Sequence, residues 1–430
     1  MWNRRSVVQV HPPVPPCEEH ADHLTAKRKS APVFFTLLFP YFLGNFYRPF
    51  LAVVAGDLSR DLGLDSAGLA SLQATFLLAF ALTQVPVALS LDRFGPRRIL
   101  ILGLCAAVAG SVLLSAAGQP WHALTAMALL GAGFSPVMMA GFYVIGRVYA
   151  PERFATLSSL LFGLGTLGDP VSGAPLALAV GVFGWRVTML GMAGITVLSL
   201  VLIAIVLRDP PRVEAPGGKI SALAATRQIF AIRALWPIIP LAFVSYAVVA
   251  AVRGLWIAPY LAQVHHFGPY AVGLSATAMG LALALGGIFY APMNRYLGDA
   301  KITVAAGIAV TVVAWLVLGQ FGAGSDGLAL GLLFVAAGFG ASFAILLAHS
   351  RAFLPTHVLG QGVTMMNLLF FGGAGLGQWL SGRYVKAAEI AAVAPDLLYG
   401  RLFTAFGVVL AVALGIYLLS PRERSASPAQ

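Results

Sequence analysis

The stretch Leu91-Asp92-Arg93-Phe94-Gly95-Pro96-Arg97-Arg98 sets a dense, mostly positive cluster between two long apolar runs, and its reading decides the fold. One run extends from Ala67 up to it. The other, Ile99 to Ala117, begins immediately after it. Gly95 and Pro96 supply a tight turn, and Asp92 closes the first run with a charge. A charged hairpin between two apolar runs belongs at a membrane surface, and its arginines favour the cytoplasmic side.

Composition agrees with that placement. Of 430 residues, 59% are hydrophobic and only 10% charged, with a mean hydropathy of +0.86, whereas soluble domains carry about 25% charged residues. A bilayer-spanning helix needs about 20 apolar residues. Twelve such segments are predicted, centred near residues 44, 79, 108, 134, 168, 196, 249, 281, 311, 338, 371 and 410. The runs do not alternate apolar with polar, so membrane barrel strands are excluded. The expected fold is an all-α polytopic membrane protein.

The net charge of +11 suggests nucleic acid until its distribution is considered. With both termini inside, 20 Lys and Arg fall on the cytoplasmic side, and five (Arg60, Arg186, Arg383, Lys386 and Arg401) fall opposite. That asymmetry orients a membrane protein and requires no nucleic-acid partner. Cys17 and Cys105 offer neither a plausible disulfide nor metal-ligand spacing, so no cofactor or metal is expected. Residues 1–31 lack the apolar core of a signal peptide and read as a disordered cytoplasmic tail.

The second half of the chain repeats the first. Tyr41, Arg48 and Gly68 have counterparts at Tyr246, Arg253 and Gly273, each 205 residues on. Gly163, Gly168, Ser172 and Gly173 correspond to Gly372, Gly377, Ser381 and Gly382, each 209 residues on. Two six-helix bundles follow, over residues 32–207 and 234–420. A cytoplasmic linker over 208–233 joins them, with Ile220 to Ile232 on the membrane surface, and 421–430 forms a cytoplasmic tail.

The opening hairpin resembles motif A of the major facilitator superfamily, G-x-x-x-D-R-x-G-x-R-R between the second and third helices. Asp92, Arg93, Gly95, Arg97 and Arg98 match, and Ala88 stands at the leading glycine. The resemblance implies two pseudo-symmetric six-helix bundles that alternate access to a midplane site. It also implies a gating role for the hairpin, with Asp92 pairing with Arg147 and facing the start of helix 11 near Gly360. The second copy, Asn294 to Lys301, is degraded, since Asn294 replaces the acid.

An ionisable residue at membrane depth costs about 3 kcal/mol or more and is a functional candidate. Three stand out: Arg48, Arg253 and Asp169. The arginines are expected to face one another across the cavity, with Tyr41, Asn45, Tyr246, Trp256 and Tyr260 shaping the pocket. An arginine fork suits carboxylate or phosphate oxygens. The arrangement is similar to the organophosphate:phosphate antiporter branch, which implies an anion site. Asp169, in Gly-Asp-Pro-Val-Ser-Gly-Ala-Pro, is read either as a proton-coupling carboxylate or as a structural partner of Arg48. Its surroundings loosely resemble motif C of drug:proton antiporters through Gly165, Pro170 and Gly173. Gly163, Gly165 and Gly168 spell G-x-G-x-x-G within helix 5, where close helix packing is the expected use. His349 and Ser350 are expected at a solvated helix end, His265 and His266 in an exposed loop, and Asn367 and Gln378 along the cavity.

These readings predict a monomeric secondary transporter, not an enzyme, in the plasma membrane (the inner membrane in a bacterium). Its cargo is expected to be a small organic or phosphate-like anion, driven by a proton or counter-substrate gradient. Proton-coupled drug efflux and a non-transporting membrane sensor are the alternatives.

Overall fold

The computed structural model describes residues 32–209, 222–355 and 358–422. The expected tail over 1–31, residues 210–221 of the linker and the end of the C-terminal tail lie outside the described residues. Among the described residues nine helices are long and apolar enough to cross a bilayer, ten when the bent pair α1 (Pro32–Phe46) and α2 (Leu51–Leu62) counts as one span. The first half continues with α3 (Ser66–Phe94), α4 (Pro96–Ser115), α5 (Pro120–Phe134), α6 (Pro136–Val148), α7 (Pro151–Thr166), α8 (Gly168–Val171) and α9 (Ala174–Val206). After the linker helix α10 (Ala222–Ala231), the second half holds α11 (Ile238–Ala251), a π-helical turn (Val252–Trp256) and α12 (Ile257–Gln263). It ends with α13 (Pro269–Leu297), α14 (Ala300–Phe321), α15 (Asp326–Gly340), α16 (Phe343–Arg351), α17 (Leu359–Ile390) and α18 (Pro395–Tyr417).

Two further crossings reconcile this with the twelve expected. The first is α17, 32 residues long, whose glycines and polar residues dilute its hydropathy. The second is concealed in α9, where Gly184 adopts φ 75° and ψ 159°. That conformation suits glycine and turns the chain between the fifth and sixth spans. Large apolar side chains cover the outside, among them the exposed Leu82, Leu102, Val182, Ile205 and Ile288. Their natural environment is lipid.

The halves meet along two seams. In one, α3 lies along α17, and small residues set the spacing. A Cβ added at Gly382 would come within 2.0 Å of the Ala70 Cβ, and one at Gly375 within 2.7 Å of Leu78. In the other, α8 and α9 lie against α13, where a Cβ at Gly173 would meet the Gly273 carbonyl at 2.7 Å. The G-x-G-x-x-G glycines divide between packing and open space. Gly165 lies against the Tyr41 ring and Gly168 against the Phe42 carbonyl, while Gly163 has no close neighbour.

The motif-A hairpin is a docking point within the first half. Gly95 takes φ 82°, and a Cβ there would come within 2.6 Å of the Asp209 carboxylate. Asp209 Oδ1 accepts from the Arg97 backbone N–H at 2.8 Å, placing an anion at the start of α4. Arg97 Nη2 in turn donates to the Ala204 carbonyl at 2.7 Å, near the end of α9. The Asp92 side chain lies outside the described residues, so its expected contact with Arg147 does too. Arg147 itself stands over the Tyr143 ring at 5.1 Å.

Candidate functional site

The three midplane charges share a structural cause, because each sits at a break in the regular α-helix of its span. Arg48 occupies the turn between α1 and α2, which meet at 53°. Pro49 explains the bend, since proline has no N–H to continue the ladder and disfavours helix at the residue before it. Asp169 lies in the four-residue α8, between breaks imposed by Pro170 and the Ser172-Gly173 turn. Arg253 lies in the π-helical turn, at the position related to Arg48 by the repeat. Broken helices at membrane depth leave backbone groups to be satisfied by neighbours.

Side chains supply those partners. Gln73 Nε2 donates to the Arg48 carbonyl. Gln378 Nε2 donates to the Ala250 carbonyl at 2.9 Å, at the entry to the π turn. The Asp169 carbonyl accepts from Arg253 Nη2 at 2.9 Å. Thr277 bridges the remaining break, donating to the Pro170 carbonyl at 3.0 Å and accepting from the Ala174 N–H at 2.8 Å.

Arg253 Nη2 also lies 2.5 Å from Asp169 Oδ1, with the two side chains only 4% and 17% exposed. This ion pair joins the second half to the first, and it corrects the expectation that Asp169 is the structural partner of Arg48. The pair fits over Gly280 of α13, where an added Cβ would fall 2.6 Å from Asp169 Oδ1 and 2.7 Å from Arg253 Nη2.

Arg48 has different company. Its Nη1 donates to Asn45 Oδ1 at 2.9 Å, and Asn45 donates to the Tyr41 carbonyl at 2.9 Å. The guanidinium lies 5.0 Å from the Phe80 ring centroid and 4.8 Å from that of Phe371, one ring from each half. The Tyr246 hydroxyl lies within hydrogen-bonding reach. No ion pair is formed by Arg48 among the described residues, and its Nε is buried without a partner.

Arg48, Gln73, Asp169, Tyr246, Arg253 and Gln378 line one narrow cleft between the halves. Tyr41 and Asn45 stand behind Arg48, with the Tyr41 hydroxyl on Met138 Sδ at 3.6 Å. Trp256 turns away and donates to Ser381 Oγ at 2.8 Å. Tyr260 is remote, against His265 Nε2 at 3.0 Å and the Tyr399 and Phe403 rings. The structure therefore does not bring Trp256 or Tyr260 into the cleft, and Asn367 is buried in α17 away from its lining. His349 departs from its expected solvation. It is fully buried, with Nδ1 at 2.8 Å from the Tyr417 hydroxyl and Nε2 at 3.2 Å from the Pro421 carbonyl. His265 is likewise almost buried, 2.7 Å from Asp326 Oδ1.

Sequence reasoning missed Gln73, Gly280 and Thr277, which carry no charge and match no motif. It also missed the ties that join the halves on the face away from the termini. There Asp65 Oδ2 lies 2.7 Å from Lys386 Nζ, and Ser66 Oγ donates to Glu389 Oε2 at 2.6 Å.

Known proteins share this architecture. A bacterial homolog of the human lysosomal transporter Spinster superposes with a TM-score of 0.74 at 19% identity, covering 91% of this chain and 97% of that one. The D-xylose-proton symporter gives 0.73 at 13% identity, covering 93% and 99%. By sequence, the probable L-galactonate transporter of Escherichia coli K12 is 25% identical over 305 residues, 67% of this chain and 65% of that protein. Sugar efflux transporter A of the same organism is 27% identical over 258 residues, 58% of this chain and 64% of that one. Both alignments thus span just under two thirds of the relatives. The model of the Major Facilitator Superfamily matches residues 34–378. With that match, the two packed halves and the polar midplane cleft, the chain belongs to the major facilitator superfamily of membrane transporters.

Proposed function

We propose that this chain carries a small organic anion by alternating access, with Arg48 as the anion-binding cation and Asp169–Arg253 as the coupling pair. The carrying observation is the unequal state of the two arginines. Arg253 is neutralised by Asp169, whereas among the described residues the Arg48 side chain has Asn45, Tyr246 and two aromatic faces around it and no carboxylate. Stacking on both faces supports the cation while leaving its in-plane N–H donors for a ligand. A carboxylate there restores the charge balance that burial of an unpaired cation lacks.

Asp169 lies within electrostatic reach of both arginines. Protonating it releases Arg253, which then adds a second set of donors for the same anion. One proton and one monovalent anion enter the cleft together, and its net charge is unchanged. The relative described as an L-galactonate transporter supports a carboxylate cargo. On this reading the protein works as a monomer in the bacterial inner membrane, with its termini in the cytoplasm.

The test is uptake of labelled carboxylates by the purified full chain in liposomes. Loss of a charge-assisted contact worth up to about 3 kcal/mol lowers uptake by Arg48→Ala by roughly a hundredfold. Asp169→Asn removes the acceleration by an inward proton gradient. Normal uptake of every accepted carboxylate by Arg48→Ala overturns the reading.

A further inference from the structure

We infer that the cleft takes a polyhydroxylated monocarboxylate, an assignment that rests on the anion reading and narrows it. The basis is the set of polar atoms lining the cleft that have no partner. Apart from Asp169 Oδ1, which faces Arg253 in the ion pair, three are donors, Arg48 Nε and Arg253 Nε and Nη1, and two are acceptors, Gln73 Oε1 and Gln378 Oε1. Their side chains on α3, the π turn and α17 are nearly or fully buried: Gln73 at 1% exposed, Arg253 at 3% and Gln378 at 0%.

The orientation of the two amides is fixed by chemistry. Each Nε2 meets a backbone carbonyl, of Arg48 and of Ala250, and a carbonyl only accepts. Each Oε1 is therefore the end left over. The amides come from opposite halves and converge on Gly254, where an added Cβ would lie 3.3 Å from Gln378 Nε2 and 3.5 Å from Gln73 Nε2. Glycine at this position leaves the space between them open.

The mixture of free donors and free acceptors discriminates among ligand classes. An ionised carboxylate, sulfate or phosphodiester only accepts, so it satisfies the arginines and strands both glutamine oxygens. A neutral sugar supplies hydroxyl donors for the glutamines and leaves Arg48 without an anion. An apolar amphipath strands all five atoms. A hydroxy acid meets both requirements, with its carboxylate at Arg48 and its hydroxyls donating to Gln73 and Gln378.

The experiment is uptake of labelled gluconate by the full chain in liposomes, competed by hexanoate, sorbitol and a second six-carbon aldonate. A site built to bond hydroxyls rejects an analogue lacking them by about a hundredfold or more, so the aldonate should compete at least that much better than hexanoate or sorbitol. Gln73→Met and Gln378→Met should each narrow the gap between aldonate and hexanoate, and the competitor series on the parent protein stands even where a variant fails to fold. Equal competition by hexanoate overturns the hydroxy-acid assignment and leaves the anion reading intact. Equal competition by sorbitol, with Arg48→Ala unimpaired, overturns both. Absence of saturable gluconate uptake overturns the assignment.

Discussion

Arg48 and Arg253 occupy equivalent places in the two halves, yet the structure treats them differently. Arg48 stands at a proline break, supported by two phenylalanine faces and one asparagine. Arg253 stands in a π turn, tied to the carboxylate and the carbonyl of Asp169 across the interface. The repeat therefore fixes position but not chemistry. What separates the two sites is a third residue, for Asp169 has Gln378 as its counterpart, and an amide cannot neutralise an arginine. One half leaves its cation without a carboxylate among the described residues, and the other ties its cation to Asp169 of the opposite half.

The largest expected effect comes from removing one member of the bridging pair. Arg253→Ala leaves the Asp169 carboxylate buried without a cation, a defect worth about 3–5 kcal/mol. Thermal unfolding in detergent should show a marked drop in Tm. The double variant Asp169→Asn with Arg253→Gln should recover most of it, because replacing both charges removes the uncompensated one. Arg48→Ala should leave Tm nearly unchanged, since no buried partner is orphaned. A fall in Tm for Arg48→Ala as large as that for Arg253→Ala would erase the contrast between the sites.

Gly280 tests the same contrast from the side. A methyl group at this position competes with Asp169 Oδ1 and Arg253 Nη2 for space, and overpacking of this kind costs about 1–3 kcal/mol. Gly280→Ala should therefore lower Tm and alter the proton dependence of uptake, while the same change at Gly287, where no neighbour lies within 4 Å, should leave both unaltered. Equal behaviour of the two variants would show that the ion pair moves aside without consequence.

How much of this was legible beforehand follows from which physical signals are local. Span number and the two-half plan rest on hydrophobic length and on the 205-residue offset linking Arg48 to Arg253, both readable along the chain. The three charges were legible because burying an ion is costly wherever it occurs. Their pairing was not, because Asp169 and Arg253 are 84 residues apart and meet only where α8 packs against α13 and the π turn. Treating the spans as straight helices hid the breaks at Pro49, Pro170 and Val252. It also put Tyr260 on the same face as Arg253, when the π turn rotates it towards His265. Gln73 and Gly280 were invisible for a different reason. Neither residue type is costly in a membrane helix, so only neighbours reveal its use.

The two hairpins at the terminal face repeat the lesson with smaller energies. In the first half Arg97 reaches the Ala204 carbonyl, and Asp209 accepts from the start of α4. In the second, Lys301 reaches the Leu418 and Ser420 carbonyls at 2.7 and 2.6 Å. There Asp299 accepts from the Lys301 N–H at 2.8 Å and lies 3.4 Å from Arg422. The copy that looks degraded in sequence makes equivalent joints with different residues. Asp209→Ala and Asp299→Ala should each lose a helix cap worth about 1 kcal/mol, and Gly95→Ala should lose more through its positive φ and contact with Asp209. Unfolding midpoints of the three variants would order these effects; an Asp299→Ala protein as stable as the parent would mean that the second joint carries no load.

The smallest effect belongs to the surface ties on the opposite face. Lys386 and the Gly68 N–H, the former contributing most, hold the Asp65 carboxyl below the usual carboxylate range. Both members of the pair are nearly half exposed, so the interaction is worth about 0.2–1 kcal/mol. Because the pKa of Asp65 is lowered in this conformation, the tie is fully present above the ordinary carboxylate pKa and is lost as pH falls through the depressed one. It therefore stays closed at neutral and mildly acidic pH and opens only in strong acid. This separates it from Asp169, the proposed proton site. Lys386→Ala should speed opening on that face about twofold to fivefold, seen as faster labelling of a cysteine placed at Ser66, and it should leave the response of uptake to a proton gradient unchanged. A changed gradient response would mean that the face and the midplane pair are one coupled element rather than two.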